Sequence, residues 1–174
     1  TIFITGAGAG IGAATARLFA EAGWQVGLFD RDFAAVTQLA REIGHDRAMA
    51  GSLDVSNTKQ WHSALDGFVQ WAGQFDVLLN NAGILYSGAF ENTSLEDHSR
   101  TIQVNVNGVL NGCHSGFEHL KANTHGARII NLSSTSAIYG QTNLASYSAS
   151  KFAVRGLTEA LDNEWKSHNI RVMD

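Results

Sequence analysis

Short apolar runs alternate with longer amphipathic stretches along this whole chain. Residues 2–5, 25–29, 48–53, 76–79, 128–132 and 170–173 read as strands. Most of these runs are apolar almost throughout, as strands covered on both faces are, rather than alternating. Between them, 11–22, 33–43, 58–72, two segments within 94–122, and 146–167 carry helical periodicity. Gly23 stops the first helix. Strand and helix in strict alternation predict an α/β fold. The expected architecture is a doubly wound parallel sheet in three αβα layers, a Rossmann-type arrangement. No Pro/Ser-rich linker, repeat or low-complexity stretch divides the chain, so residues 1–174 are expected to form one domain.

Composition narrows the function classes. A length of 174 residues supports a sizeable core. A formal net charge of −4 gives no electrostatic case for nucleic acid or acidic membranes as partners. No apolar run reaches the length of a bilayer span, and the first residues lack a signal peptide's basic flank. Cys113 is the only cysteine, so no intrachain disulfide forms; the expectation is a reducing, cytoplasmic setting and a buried, unreactive thiol. The seven histidines show no metal-ligand spacing, so no metal is expected. Proline is absent, where average usage of about 5% predicts roughly nine. A biased or missing segment accounts for this, and the chain is expected to stop within its sixth strand.

Two segments carry chemistry. Thr5-Gly6-Ala7-Gly8-Ala9-Gly10-Ile11-Gly12 follows a buried strand and opens a helix. Unpaired N–H groups and the positive dipole end of a helix attract phosphates there. Gly6 allows the tight turn, Gly10 spares the pyrophosphate a side chain, and Gly12 lets helix and sheet approach. A second register, starting at Gly8, fits a looser form of the same motif. Asp30 closes the second strand, eighteen residues beyond Gly12, where a carboxylate accepts hydrogen bonds from an adenosine ribose and repels a 2′-phosphate. Arg31 follows it and could pair with such a phosphate. NAD is therefore the expected cofactor, NADP the less favoured one. Asp54-Val55 and Asn80-Asn81-Ala82-Gly83 end the third and fourth strands, at the sheet edge where ligands collect. Asp54 could meet the adenine amine and Val55 cover its ring. The other segment is Tyr147-Ser148-Ala149-Ser150-Lys151, which on a helix puts phenol and ammonium on one face.

In the order and spacing of Thr5-Gly6-x-x-x-Gly10-Ile11-Gly12, Asp30, Asp54, Asn80-Asn81-Ala82-Gly83, Asn105, Ser134 and Tyr147-x-x-x-Lys151, the chain resembles the short-chain dehydrogenase/reductases. The likeness is to their compact subfamily; the extended one would place Gly where this chain has Ala9. The resemblance implies a catalytic set of Asn105, Ser134, Tyr147 and Lys151. Tyr147 would be the general acid/base, its ionisation eased by Lys151 and by an oxidised nicotinamide. Lys151 would also hold the nicotinamide ribose, Ser134 the substrate oxygen, and Asn105 a proton-relaying water. Ser133 is the alternative to Ser134, and Asn107 and Asn111 the alternatives to Asn105. The cofactor set comprises Gly6, Ala9, Gly10, Ile11, Gly12, Asp30, Arg31, Asp54, Val55, Asn81, Ala82, Gly83, Tyr147 and Lys151. Around the substrate stand Ile84, Leu85, Ser136, Ile138, Tyr139 and Asn143, a mixed apolar lining suited to a small or medium alcohol or ketone. The family's missing seventh strand and substrate loop imply weak turnover from a chain ending at Asp174. Family members pair helices equivalent to 94–122 and 146–167, which implies a homodimer or homotetramer. The competing reading is a non-catalytic module that binds a dinucleotide to sense redox state.

Overall fold

A computed structural model describes all residues, 1–174. Six parallel strands form one sheet: β1 (Ile2–Thr5), β2 (Val26–Asp30), β3 (Ala48–Ser52), β4 (Val77–Asn80), β5 (Ala127–Asn131) and β6 (Ile170–Met173). Their order is β3-β2-β1-β4-β5-β6. The chain winds outward from β1 to β3, then returns to lay β4 on β1's other side, so the winding reverses between β1 and β4. In open α/β sheets that reversal leaves a crevice at the strands' carboxyl ends. The expected doubly wound Rossmann architecture is present.

Side-chain alternation along β1 feeds two cores. Ile2 and Ile4 face α1 (Gly10–Glu21) and α2 (Phe33–Ile43), whose Ala13, Ala16, Ala20, Val36 and Leu39 complete that layer. Phe3 points the other way, stacked on Phe29 with ring centroids 4.0 Å apart and edge-on to Phe68. Over this second face lie α3 (Thr58–Ala72), α5 (Gly108–Lys121) and α6 (Ala145–Trp165).

The helix starts follow capping chemistry. Asp32 accepts from the Ala35 N–H to begin α2, and Asn57 accepts from Lys59 and Gln60 to begin α3. Ser94 does the same for α4 (Leu95–Ile102), through the Asp97 N–H. The predicted two segments within 94–122 are α4 and α5, joined by a π-helical turn, Gln103–Asn107, which the sequence pattern does not announce. Several strands shift by one residue from expectation because register decides their ends. Asp30 pairs with Ser52 and Asn80 with Asn131, so both belong to the sheet. No helix is long and apolar enough to cross a membrane.

Candidate active site and cofactor cleft

The chain leaves β1 through Gly6 (φ +64°) and enters α1 through Gly10 (φ +54°), both left-handed positions. Gly12 is required by space: a Cβ there would lie 2.3 Å from the Gly6 carbonyl oxygen. Ala9, the residue before α1, supplies no side-chain cap, and nothing lies within 4 Å of a Cβ built on Gly10. The helix therefore starts uncapped and open, a cradle that fits a pyrophosphate. Ile11, beside it, is exposed. Gly8, the start of the alternative register, answers to Asp30 instead: its N–H donates to Asp30 Oδ2 at 3.0 Å. Asp30 Oδ1 accepts from the Asp32 N–H, so the loop and the end of β2 are tied through one carboxylate.

Asn81 lies behind the glycine turn. Its amide donates to the Thr5 and Gly6 carbonyls at 2.8 and 3.0 Å, and its N–H donates to Thr5 Oγ1. The side-chain NH2 braces the glycine turn from behind, and Oδ1 remains an open acceptor. Ala82 and Gly83, next along, line the cleft with Gly6, Asp30, Arg31, Asp54 and Val55. Asp54 Oδ1 accepts from both the N–H and the hydroxyl of Ser56. Chiefly the Ser56 hydroxyl, with help from the Arg100 guanidinium, holds the Asp54 carboxyl below the usual carboxylate range. Arg100, on α4, is a cleft residue that sequence reasoning missed. Its spacing of four from Val104, which also lines the cleft, is the signal that could have found it.

Tyr147 and Lys151 share a face of α6. Lys151 is 5% exposed; its Nζ donates to the Leu132 carbonyl at 2.6 Å and lies 5.6 Å from the centre of the Tyr147 ring. Burial lowers its pKa from the ordinary lysine value. Asn105 is 1% exposed and fully engaged: Oδ1 accepts from the Ile84 N–H at 2.8 Å, while Nδ2 donates to the Ile84 carbonyl and to Ser150 Oγ. Its amide is a joint between the end of β4 and α6: both Nδ2 hydrogens are used, and Oδ1 keeps one lone pair. Of its rivals, Asn111 donates to the Val55 carbonyl and Asn107 is exposed, so only Asn105 reaches α6. Ser134 Oγ accepts from the Ser136 N–H, capping the single turn Thr135–Ala137; its hydroxyl proton stays available to a substrate oxygen.

The substrate lining is only partly as expected. Ser136 is buried beneath its turn, and Ile84 belongs to the cofactor cleft. Leu85, Ile138 and Tyr139 are exposed, and Asn143 takes a left-handed φ of +64°. His98 links α4 to the start of α6: Nδ1 contacts Ser146 Oγ at 2.6 Å and Nε2 the Phe90 carbonyl. Cys113 is buried as expected, its thiol pushed up to about 12 by burial.

Fold and site together define the Rossmann class of nucleotide-binding domains, with a Tyr-x-x-x-Lys pair on the last long helix. All of residues 1–174 match the family model described as short chain dehydrogenase. The chain belongs to the short-chain dehydrogenase family. It is 38% identical over 157 residues to the 3-beta-hydroxysteroid dehydrogenase of Comamonas testosteroni, covering 90% of this chain and 61% of that one. It is 35% identical to the trans-4-hydroxycyclohexanecarboxylate dehydrogenase of Sinomonas cyclohexanicum, over 97% of this chain and 68% of the relative. Among solved structures, 3-ketoacyl-(acyl-carrier-protein) reductase from Brucella melitensis complexed with NADH superposes with a TM-score of 0.94 at 36% identity, over 98% of this chain and 71% of that one. The chain thus spans about three fifths to seven tenths of the length of these relatives.

Proposed function

We propose that the protein is an NAD(H)-dependent oxidoreductase acting on the carbinol or carbonyl carbon of a small or medium alcohol or ketone. The observation that carries this reading is the buried Lys151 ammonium held beside the Tyr147 ring, on a helix that Asn105 ties to cleft residue Ile84. A redox sensor needs the cleft but not this pair. Bound in the cleft, nicotinamide would accept or supply the hydride. Tyr147 takes the hydroxyl proton in oxidation and returns it in reduction, and the Lys151 charge favours the phenolate form. Ser134 donates to the substrate oxygen as charge develops there. Asn105 holds Ile84 and Ser150 in place between them.

Asp30 supports NAD over NADP, because a carboxylate at the ribose repels a 2′-phosphate; Arg31 beside it is the counterweight. The named activities of the relatives, on hydroxysteroid, hydroxycyclohexanecarboxylate and ketoacyl groups, agree with carbinol–carbonyl chemistry. We further propose that the protein works in the cytoplasm and assembles as a homodimer or homotetramer through the 94–122 helices, α4 and α5, and through α6. Val104, Val109 and Val154 of the expected helix stripe are packed within the chain, while Leu110 and Phe152 stay exposed for a partner.

The test is nicotinamide absorbance with NAD+ and NADP+ against a panel of secondary alcohols and ketones, run with Tyr147→Phe in parallel. Turnover should fall by roughly a hundredfold or more in the variant, with NAD affinity kept. Tight NAD binding without turnover of any substrate favours the sensor. Unchanged turnover in Tyr147→Phe removes that residue from the chemistry. Light scattering checks the assembly.

A further inference from the structure

Two side chains fasten α6 to the segment that follows β4. Asn105 is one: it joins Ile84 to Ser150 Oγ, whose own hydroxyl donates to the Tyr147 carbonyl at 2.6 Å. His98 is the other. Its Nδ1 lies 2.6 Å from Ser146 Oγ and its Nε2 3.2 Å from the Phe90 carbonyl oxygen. The Phe90 ring stacks on the imidazole, with centroids 4.5 Å apart and planes 24° from parallel, which fixes the plane in which both nitrogens point. A carbonyl oxygen only accepts, so Nε2 carries a proton, and a neutral ring then accepts the Ser146 O–H at Nδ1. Imidazole suits this bridge because one rigid ring offers a donor and an acceptor on different edges.

Ser146 and Ser150 stand about one helical turn apart, with Tyr147 between them. The two fastenings therefore bracket the turn of α6 that bears the phenol. Their other ends, Ile84 and Phe90, bracket the loop that leaves the cofactor cleft, and within it the Gly88 N–H donates to the Asn143 carbonyl at 3.0 Å. We propose that His98 is a positioning residue for the Tyr147 chemistry. By clasping Phe90 to Ser146 it holds the 84–90 loop against the start of α6, and so fixes the phenol relative to a substrate bound beside that loop. The inference rests on the oxidoreductase reading of Tyr147 and adds to it a residue that touches neither substrate nor cofactor. A misplacement of reacting groups by about 1 Å lowers a rate by on the order of a hundredfold. Drift of this one turn is therefore read in kcat before the fold is lost.

The test measures kcat, KM and NAD+ affinity of the full-length protein, wild type and variants, with a panel of secondary alcohols, cyclohexanol and isopropanol among them, and with the matching ketones and NADH. His98→Phe keeps a ring against Phe90 and loses both polar contacts. Ser146→Ala cuts only the α6 end of the clasp, and Ser146→Thr keeps the hydroxyl. Both cutting variants should lower kcat roughly tenfold with NAD+ affinity within about twofold of the wild type, and Ser146→Thr should retain most of the rate. Combining His98→Phe with Ser146→Ala should lower kcat no further than the larger single loss, because both cut one clasp. A kcat within about twofold of the wild type in both cutting variants overturns the proposal. So does a loss in His98→Phe alone, or a loss matched by NAD+ affinity, which would mean a general loosening of the cleft. If His98→Phe does not fold, Ser146→Ala against Ser146→Thr carries the same comparison. A wild type that turns over none of the panel overturns the oxidoreductase reading, and this inference with it.

Discussion

The Lys151 ammonium is held by the Leu132 main-chain oxygen, at 2.6 Å. Leu132 is itself fixed by its N–H to the Asn80 carbonyl, so the end of β4 positions the residue that positions the lysine. The amine needs no bond to Tyr147 to stay beside its ring, and donors remain for a ligand.

That arrangement burdens the free protein. A lysine whose pKa is lowered by burial resists its charged form when folded. The cost is present in full below the lowered pKa and fades as pH climbs toward the unfolded value of about 10.4. Lys151→Met loses a hydrogen bond of about 0.5–1.5 kcal/mol, against a larger desolvation penalty for an ammonium. Ligand-free Lys151→Met should therefore unfold at a urea midpoint at or above that of the wild type at pH 7, while losing turnover. Its advantage should shrink toward pH 10. A lower midpoint at pH 7 would show that the ammonium is net stabilising.

Gly12→Ala sets a Cβ 2.3 Å from the Gly6 carbonyl and 2.6 Å from the Asn81 amide. Neither neighbour yields freely, because one is backbone and the other braces the same turn. Overpacking of this kind costs about 1–3 kcal/mol, and the displaced turn should weaken NAD binding by roughly tenfold. Gly140→Ala, with nothing within 4 Å of its Cβ, should stay within about 0.5 kcal/mol of the wild type. Calorimetric unfolding of the pair separates the two; equal midpoints would refute the steric account.

Asp30→Ala removes the carboxylate proposed to accept from the ribose and also frees the Gly8 N–H. NAD affinity should fall while NADP, no longer repelled and still beside Arg31, gains. The affinity ratio should move toward NADP by roughly tenfold or more, a change of about 1.4 kcal/mol. Equilibrium titration with both cofactors measures it. A ratio that does not move would mean that Asp30 serves the loop alone.

Sequence and structure agree wherever local chemistry is decisive. The strand–helix rhythm and the glycine turn are set by neighbours in the chain, and each is legible there; the N-caps Asp32, Asn57 and Ser94 are equally local but appear only with the structure. What sequence could not give is where an amide spends its donors. The amides of Asn81 and Asn105 also brace the fold, through partners that lie 75 and 21 positions away. Arg100 was missed for the complementary reason: an arginine in an acidic, polar helix reads as a solvated face until the fold lays α4 across the cleft. The π turn at Gln103–Asn107 leaves no pattern either, since it arises between two helices that are each regular.

A last consequence concerns the polar chain under the active site. Asn80 donates to Asn131 Oδ1 and Asn131 to Thr158 Oγ1, both at 2.9 Å, with all three residues buried. Thr158 in turn donates to the Val154 carbonyl. The chain ties β4 and β5 to α6, and its middle member directly precedes Leu132. Thr158→Val keeps the shape and leaves the Asn131 amide without a partner, which costs about 1–3 kcal/mol in a buried setting. Thr158→Ser keeps the hydroxyl and loses a single methyl, worth about 1 kcal/mol or less. Urea unfolding should rank wild type, then Thr158→Ser, then Thr158→Val. Thr158→Val should also lower turnover several-fold by loosening the Leu132 anchor of Lys151, with Thr158→Ser close to normal. Equal stability and turnover in the two variants would mean that the hydroxyl contributes nothing, and that α6 is set on the sheet by apolar packing alone.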